Sequence, residues 1–141
     1  MEPPPQPPRD AVSFDASMLV GVPAIDDQHR QLFVELNRLI AATHAAPSSE
    51  IFTEGLGRLG RDLNEHFNCE EALLGDLGLP VPELRAHVRA HNEILSQYAE
   101  LNLKLMRVNA VSRVEVLQMI RRWIVDHIVL HDRQIRDHLP V

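Results

Sequence analysis

Every long apolar stripe in this chain has helical spacing, and every stripe is interrupted by histidine. Leu32, Phe33, Leu36, Leu39 and Ile40 recur at helical intervals from about residue 26 to 45. Pro47-Ser48-Ser49 breaks the pattern, and Ser48 or Ser49 can cap the next helix with Glu50 in its first turn. Phe52, Leu56, Leu59, Leu63, Phe67, Leu73, Leu74 and Leu77 mark a second helix to about residue 77. Gly55, Gly57 and Gly60 weaken its start by about 1 kcal/mol each relative to alanine. Gly78-Leu79-Pro80-Val81-Pro82 stops one helix and starts another. Leu84, Val88, Ile94, Leu95, Tyr98, Leu101 and Leu105 carry the third helix to about residue 107. After a short turn at Asn109-Ala110-Val111, Ser112-Arg113-Val114-Glu115 reads as a capping box. Leu117, Ile120, Ile124, Ile128 and Ile135 then mark a fourth helix to about residue 137. No segment alternates with period two. The expected fold is all-α: an antiparallel up-down four-helix bundle with an irregular N-terminal arm.

The arm has two parts. Residues 1–9 carry five of the ten prolines, so residues 1–13 read as an extended, flexible tail, and a domain over residues 14–141 is expected to follow. Within the lead-in, Phe14, Val20, Val22 and Ile25 are placed to pack on the helices.

Composition narrows the function classes. Lys plus Arg is 14 against 20 Asp plus Glu, a formal net charge of -6, which argues against a nucleic-acid grip. A single cysteine excludes an intrachain disulfide. No apolar run reaches the length of a membrane span, and Met1-Glu2-Pro3-Pro4-Pro5 lacks the start of a signal peptide, so cytoplasmic residence is the expectation; a monomer is expected as well.

The histidines carry the chemistry. His29 lies three residues before Leu32 on the first stripe. His66 and Glu70 are four apart, roughly 40° around a helix axis, between Leu63 and Leu73. His87 and His91 are also four apart, and His127 follows Ile124 at i+3. Each helix thus points an imidazole where a core side chain belongs. One buried histidine is ordinarily satisfied by a hydrogen bond; five of them with a carboxylate, on four facing helices, need a shared partner, and a metal supplies one. The donors are too many for one zinc, and there are no paired thiolates for an iron–sulfur cluster. Imidazole mixed with carboxylate suits a pair of iron or manganese ions. Carboxylate-rich di-iron bundles use Glu-x-x-His, which this chain lacks; it reads His-x-x-x-Glu.

Four motifs stand in order: Val20-Gly21-Val22 with Ile25-Asp26-Asp27-Gln28-His29; His66-Phe67-Asn68-Cys69-Glu70-Glu71; His87-x-x-x-His91; and Trp123-x-x-x-His127-Ile128-x-x-x-Asp132. On these the chain resembles the single-domain hemerythrins of bacteria over about residues 14–135. The resemblance implies two non-haem iron ions. His87, His91 and His127 would hold one, and His29 and His66 the other. Glu70 and Asp132 would bridge them, with an oxo or hydroxo bridge from solvent, and dioxygen would bind the open position of the second iron. Leu32, Phe67, Trp123, Ile124 and Ile128 match the apolar dioxygen pocket. Periodicity alone selects differently at one place: the i+4 neighbour of His127 is His131, and Asp132 lies roughly 140° away. The family pattern selects Asp132 and leaves His131 beside the site or at the surface.

The chain departs from the pattern at Ile124, where relatives usually have leucine, at Ile135, where an aromatic is common, and at Phe14, where tryptophan is common. Cys69 is expected to be a small buried residue, Glu71 to be exposed or to back the site, and His44 and His138 to face solvent. The resemblance implies reversible dioxygen binding for storage, delivery or sensing, with an oxygen-consuming enzyme as possible recipient and no obligatory turnover. The alternatives are a di-iron peroxidase, ferroxidase or nitric-oxide-handling enzyme, an iron store or repair protein, and a metal-free bundle. Enzyme chemistry needs a proton donor at the open iron. Tyr98, the one tyrosine, lies about two turns beyond His91.

Overall fold

The computed structural model describes residues 11–44, 49–105 and 112–139. The proline-rich residues 1–9, the Ser48 cap and the turn at 109–111 lie outside the described residues, as do the side chains of His44 and His138. Three long helices come first: α1, Pro23–His44; α2, Ser49–Asp76; and α3, Val81–Leu105. A fourth helical stretch opens with α4, Arg113–Arg121. No strand occurs among the described residues, and no described helix is long and apolar enough to cross a membrane.

Local chemistry sets the ends. α1 starts three residues before the apolar pattern predicts, at Pro23, where a missing N–H costs nothing. Gly78 takes φ +71 just past α2, the left-handed turn expected of a glycine there. The Ser112 hydroxyl accepts from the Glu115 N–H at 3.2 Å, as its position before α4 predicts.

Side-chain pairs show that neighbouring helices run antiparallel. His29 meets His66 while Glu35, further along α1, meets Arg58, earlier on α2. Glu71 meets His91, whereas the Tyr98 hydroxyl donates to the Leu56 carbonyl at 2.8 Å. His91 meets His127, and Gln97 accepts from the Trp123 indole at 2.7 Å. The main core runs along this bundle through Leu36, Leu59, Leu63, Phe67, Ile120 and Ile124. A smaller cluster of Val20, Ile25, Leu74, Leu79 and Ile135 closes the end nearest the histidines.

The arm, residues 11–22, belongs to that closure. Both Asp26 carboxylate oxygens accept backbone N–H groups, from Val20 at 2.8 Å and Gly21 at 3.3 Å, which fixes the turn into α1. Gly21 sits at φ +89, open to glycine and strained for other residues. Arg136 donates to the carbonyls of Leu19 and Ser17, tying the C-terminal segment to the arm. Phe14 packs edge-on to Phe33, with ring centroids 5.4 Å apart.

The fourth helix differs from its expected continuous run to residue 137. After α4 the chain makes a π-helical turn, Arg122–Asp126, then a short α-helical turn, His127–Leu130, then a 3-10 segment, Asp132–His138. His131 joins the last two at φ -115, ψ -54. A 3-10 segment has fewer residues per turn than an α-helix, so the angular register changes after His131.

Candidate metal centre

Seven polar side chains converge at the closed end of the bundle, all buried: His29 from α1, His66 and Glu70 from α2, His87 and His91 from α3, His127 from the short helical turn, and Asp132 from the start of the 3-10 segment. His29, His66, Glu70 and Asp132 bring donor atoms within 4.8 Å of one another, and so do Glu70, His87, His91 and Asp132. His127 joins through Nε2, 3.0 Å from His91 Nε2 and 3.0 Å from Asp132 Oδ1.

The two carboxylates organise the cluster. Glu70 turns Oε2 toward His66 Nε2 at 3.0 Å and Oε1 toward His91 Nε2 at 3.2 Å, with His87 Nδ1 at 3.6 Å from Oε1. Asp132 turns Oδ2 toward His29 Nε2 at 2.9 Å and Oδ1 toward His127. Each acid therefore gives one oxygen to the His29–His66 pair and the other to the His87–His91–His127 group.

The donors fit metal better than they fit one another. His29 Nε2 and His66 Nε2 face each other at 3.1 Å, as His91 and His127 do at 3.0 Å. A proton between two such nitrogens satisfies a single pair, whereas a cation beside them accepts every lone pair aimed at it. Glu70 Oε2 and Asp132 Oδ1 are buried without a hydrogen-bond partner, and so are His29 Nδ1 and His87 Nδ1. Orphaned buried polar atoms are costly, and carboxylate oxygens aimed at a common point are relieved by a bound cation.

Protonation responds to the same crowding. Burial pulls the His66 imidazole down, but the Asp132 and Glu70 carboxylates outweigh it and hold His66 up at about 9. Burial likewise opposes the charged form of His91, which Glu70 and Glu71 raise on balance. Burial and the Asp132 charge push Glu70 up, yet the surrounding imidazoles of His66, His87 and His91 bring it below the ordinary carboxylate range. Asp132 is lowered further, against its own burial, by His127, His29 and His66.

The residues matched to a dioxygen pocket, Leu32, Phe67, Trp123, Ile124 and Ile128, are all buried in the main core. The Phe67 ring stacks on His91 at 4.1 Å and 10°, and meets His127 edge-on at 5.5 Å. Trp123 is fixed by its bond to Gln97. Tyr98 is committed to the Leu56 carbonyl.

His131 is half-buried, 5.1 Å from the His127 ring and 5.8 Å from that of His87. Burial and its histidine neighbours lower its pKa. The helical periodicity that favours it fails because the helix ends at that residue. Cys69 is a correction: it is exposed, not buried. On α2 the inward face is taken by His66, Phe67, Glu70 and Leu74, which turns Cys69 outward with Asn68. Glu71 backs the site, with Oε1 3.1 Å from His91 Nδ1. Gln28 has no role in the sequence reading, yet its Oε1 lies 2.9 Å from His66 Nδ1. Its place beside His29 in the Ile25–His29 motif was the signal for it.

A buried four-helix constellation of five imidazoles and two shared carboxylates defines a metal-binding helical bundle. Residues 20–138 match the model of the Hemerythrin HHE cation binding domain, and the chain belongs to this family. It is 29% identical to Bacteriohemerythrin of Stenotrophomonas maltophilia (strain R551-3) over 124 residues, 85% of this chain and 78% of that one. It is 28% identical to Bacteriohemerythrin of Methylococcus capsulatus (strain ATCC 33009 / NCIMB 11132 / Bath) over 108 residues, 77% of this chain and 80% of that one.

Proposed function

We propose that the chain binds dioxygen reversibly at a non-haem di-iron centre, as a cytoplasmic oxygen store or carrier. The division of each carboxylate between two histidine groups carries this reading, because a bridging acid needs an ion on either side. His87, His91 and His127 would hold one iron, and His29 and His66 the other. Glu70 and Asp132 would each serve both through their two oxygens. A reduced iron pair would supply the electrons that dioxygen takes up on binding.

The chain's own residues favour holding over turnover. Leu32, Phe67, Trp123, Ile124 and Ile128 are buried in the main core and would keep water and protons from bound dioxygen. The tyrosine hydroxyl that a peroxidase-like role would recruit is bonded to Leu56 instead.

The test is direct. Purified protein is loaded with iron, reduced without air, exposed to air and evacuated. A visible charge-transfer band that appears and disappears over repeated cycles supports the proposal. Bleaching after one cycle, or steady consumption of added reductant, points to an enzyme and overturns it.

A further inference from the structure

His66 and His91 occupy matching places in the two halves of the centre, and they are backed by different chemistry. Each turns Nε2 inward, His66 to Glu70 at 3.0 Å and His91 to Glu70 at 3.2 Å. Each turns Nδ1 outward to a side chain from a neighbouring helix. For His66 that side chain is Gln28 of α1, at 2.9 Å; for His91 it is Glu71 of α2, at 3.1 Å. Both oxygens accept the Nδ1 proton and so leave the Nε2 lone pair directed inward. An amide carbonyl is a neutral acceptor. A carboxylate makes a charge-assisted bond that draws the proton away from the ring and makes the imidazole a stronger donor. His29 Nδ1, by contrast, has no hydrogen-bond partner, so nothing on the His66 side matches the pull of Glu71.

We propose that Gln28 and Glu71 are positioning residues that make the two halves of the centre electronically unequal, the Glu71-backed His91 favouring the ferric ion and the Gln28-backed His66 tolerating the ferrous one. This inference rests on the two-iron reading. Each iron gives up one electron between the two states. Glu71 favours that loss on the three-histidine side, and the neutral amide leaves the side with the vacancy more readily reduced. The carboxylates of Asp27, Asp62 and Glu65 line the same cleft as Gln28, but the bond to His66 Nδ1 is made by the amide.

The full chain is loaded with ferrous ion without air, its iron is counted, and it is titrated with redox mediators that accept one electron per iron. Glu71→Gln is expected to weaken the ferric preference of the centre about tenfold, and Gln28→Glu to strengthen it about tenfold, within the range outer partners exert on metal affinity. Both variants are expected to keep two irons. A structural disturbance would move both variants the same way; a donor effect moves them oppositely. In the unmodified chain loaded with zinc, nitrogen NMR is expected to show His91 Nδ1 displaced toward the deprotonated form relative to His66 Nδ1. Two bound irons with shifts in one direction, or below twofold, overturn this inference alone, as do equal Nδ1 resonances in the zinc form. A wild-type chain that binds no iron overturns the di-iron reading with it.

Discussion

Asp132 Oδ1 lies 3.0 Å from His127 Nε2, although five residues of regular α-helix would set the two side chains roughly 140° apart. The break in the helix at His131, which takes φ -115, closes that angle. Asp132→Asn is therefore expected to lower iron affinity by at least about tenfold, in line with losing a charged ligand, while His131→Ala retains two irons. Metal analysis after dialysis checks both. Full iron in Asp132→Asn with loss in His131→Ala would reverse the assignment.

Ile124 is 1% exposed and part of the main core, where the proposed dioxygen pocket would lie. Ile124→Ala is expected to cost about 2–5 kcal/mol, as core truncations do, and to hasten oxidation of the iron-loaded protein by admitting water. Ile124→Leu keeps the volume but relaxes the stiff β-branch, and its more flexible side chain is expected to slow that oxidation. Denaturant curves and absorbance decay in air measure the two effects. Equal decay in wild type and both variants would show that Ile124 does not guard the site.

The metal-free chain should lose stability in alkali. His66 has its pKa raised on folding from 6.5 to about 9. Its contribution is fully present below 6.5 and is lost as pH rises through about 9. Denaturation midpoints of chelator-treated protein are expected to fall over that window. Iron-loaded protein, with His66 held deprotonated by metal, is expected to stay level there and to release protons when loaded near neutrality. Parallel curves for the two forms would refute this.

Gly60 lies inside α2, where an added Cβ would overlap the ring and hydroxyl of Tyr98. Gly60→Ala gains about 1 kcal/mol of helix propensity but displaces the Tyr98 bond to Leu56. The expected net effect is a loss of about 1–3 kcal/mol, typical of overpacking. Chemical denaturation followed by Trp123 fluorescence reports it, since Tyr98 sits edge-on to that ring at 6.2 Å.

The four helices were legible because their stripes bury one face each, and because Ser112 and Gly78 are residues with one structural use at those places. His29, His66, Glu70, His87, His91 and His127 were legible as intrusions on those stripes. Asp132 was legible only through the family resemblance, since periodicity presumes a regular helix and the chain abandons one at His131. Cys69 misled because hydrophobic character says nothing of which side of a crowded turn faces in. The roles of Gln28 and Gly60 were not legible, because their partners, His66 and Tyr98, lie 38 residues away in sequence and are brought near only by packing.

Because every rod of the bundle surrenders a donor to one shared point, ions bound there would act as a rivet through the whole molecule. Without them seven polar groups would be stranded in the interior, all four rods would loosen together, and the backbone would open to proteases. Scarcity of metal would thereby shorten the life of the chain itself.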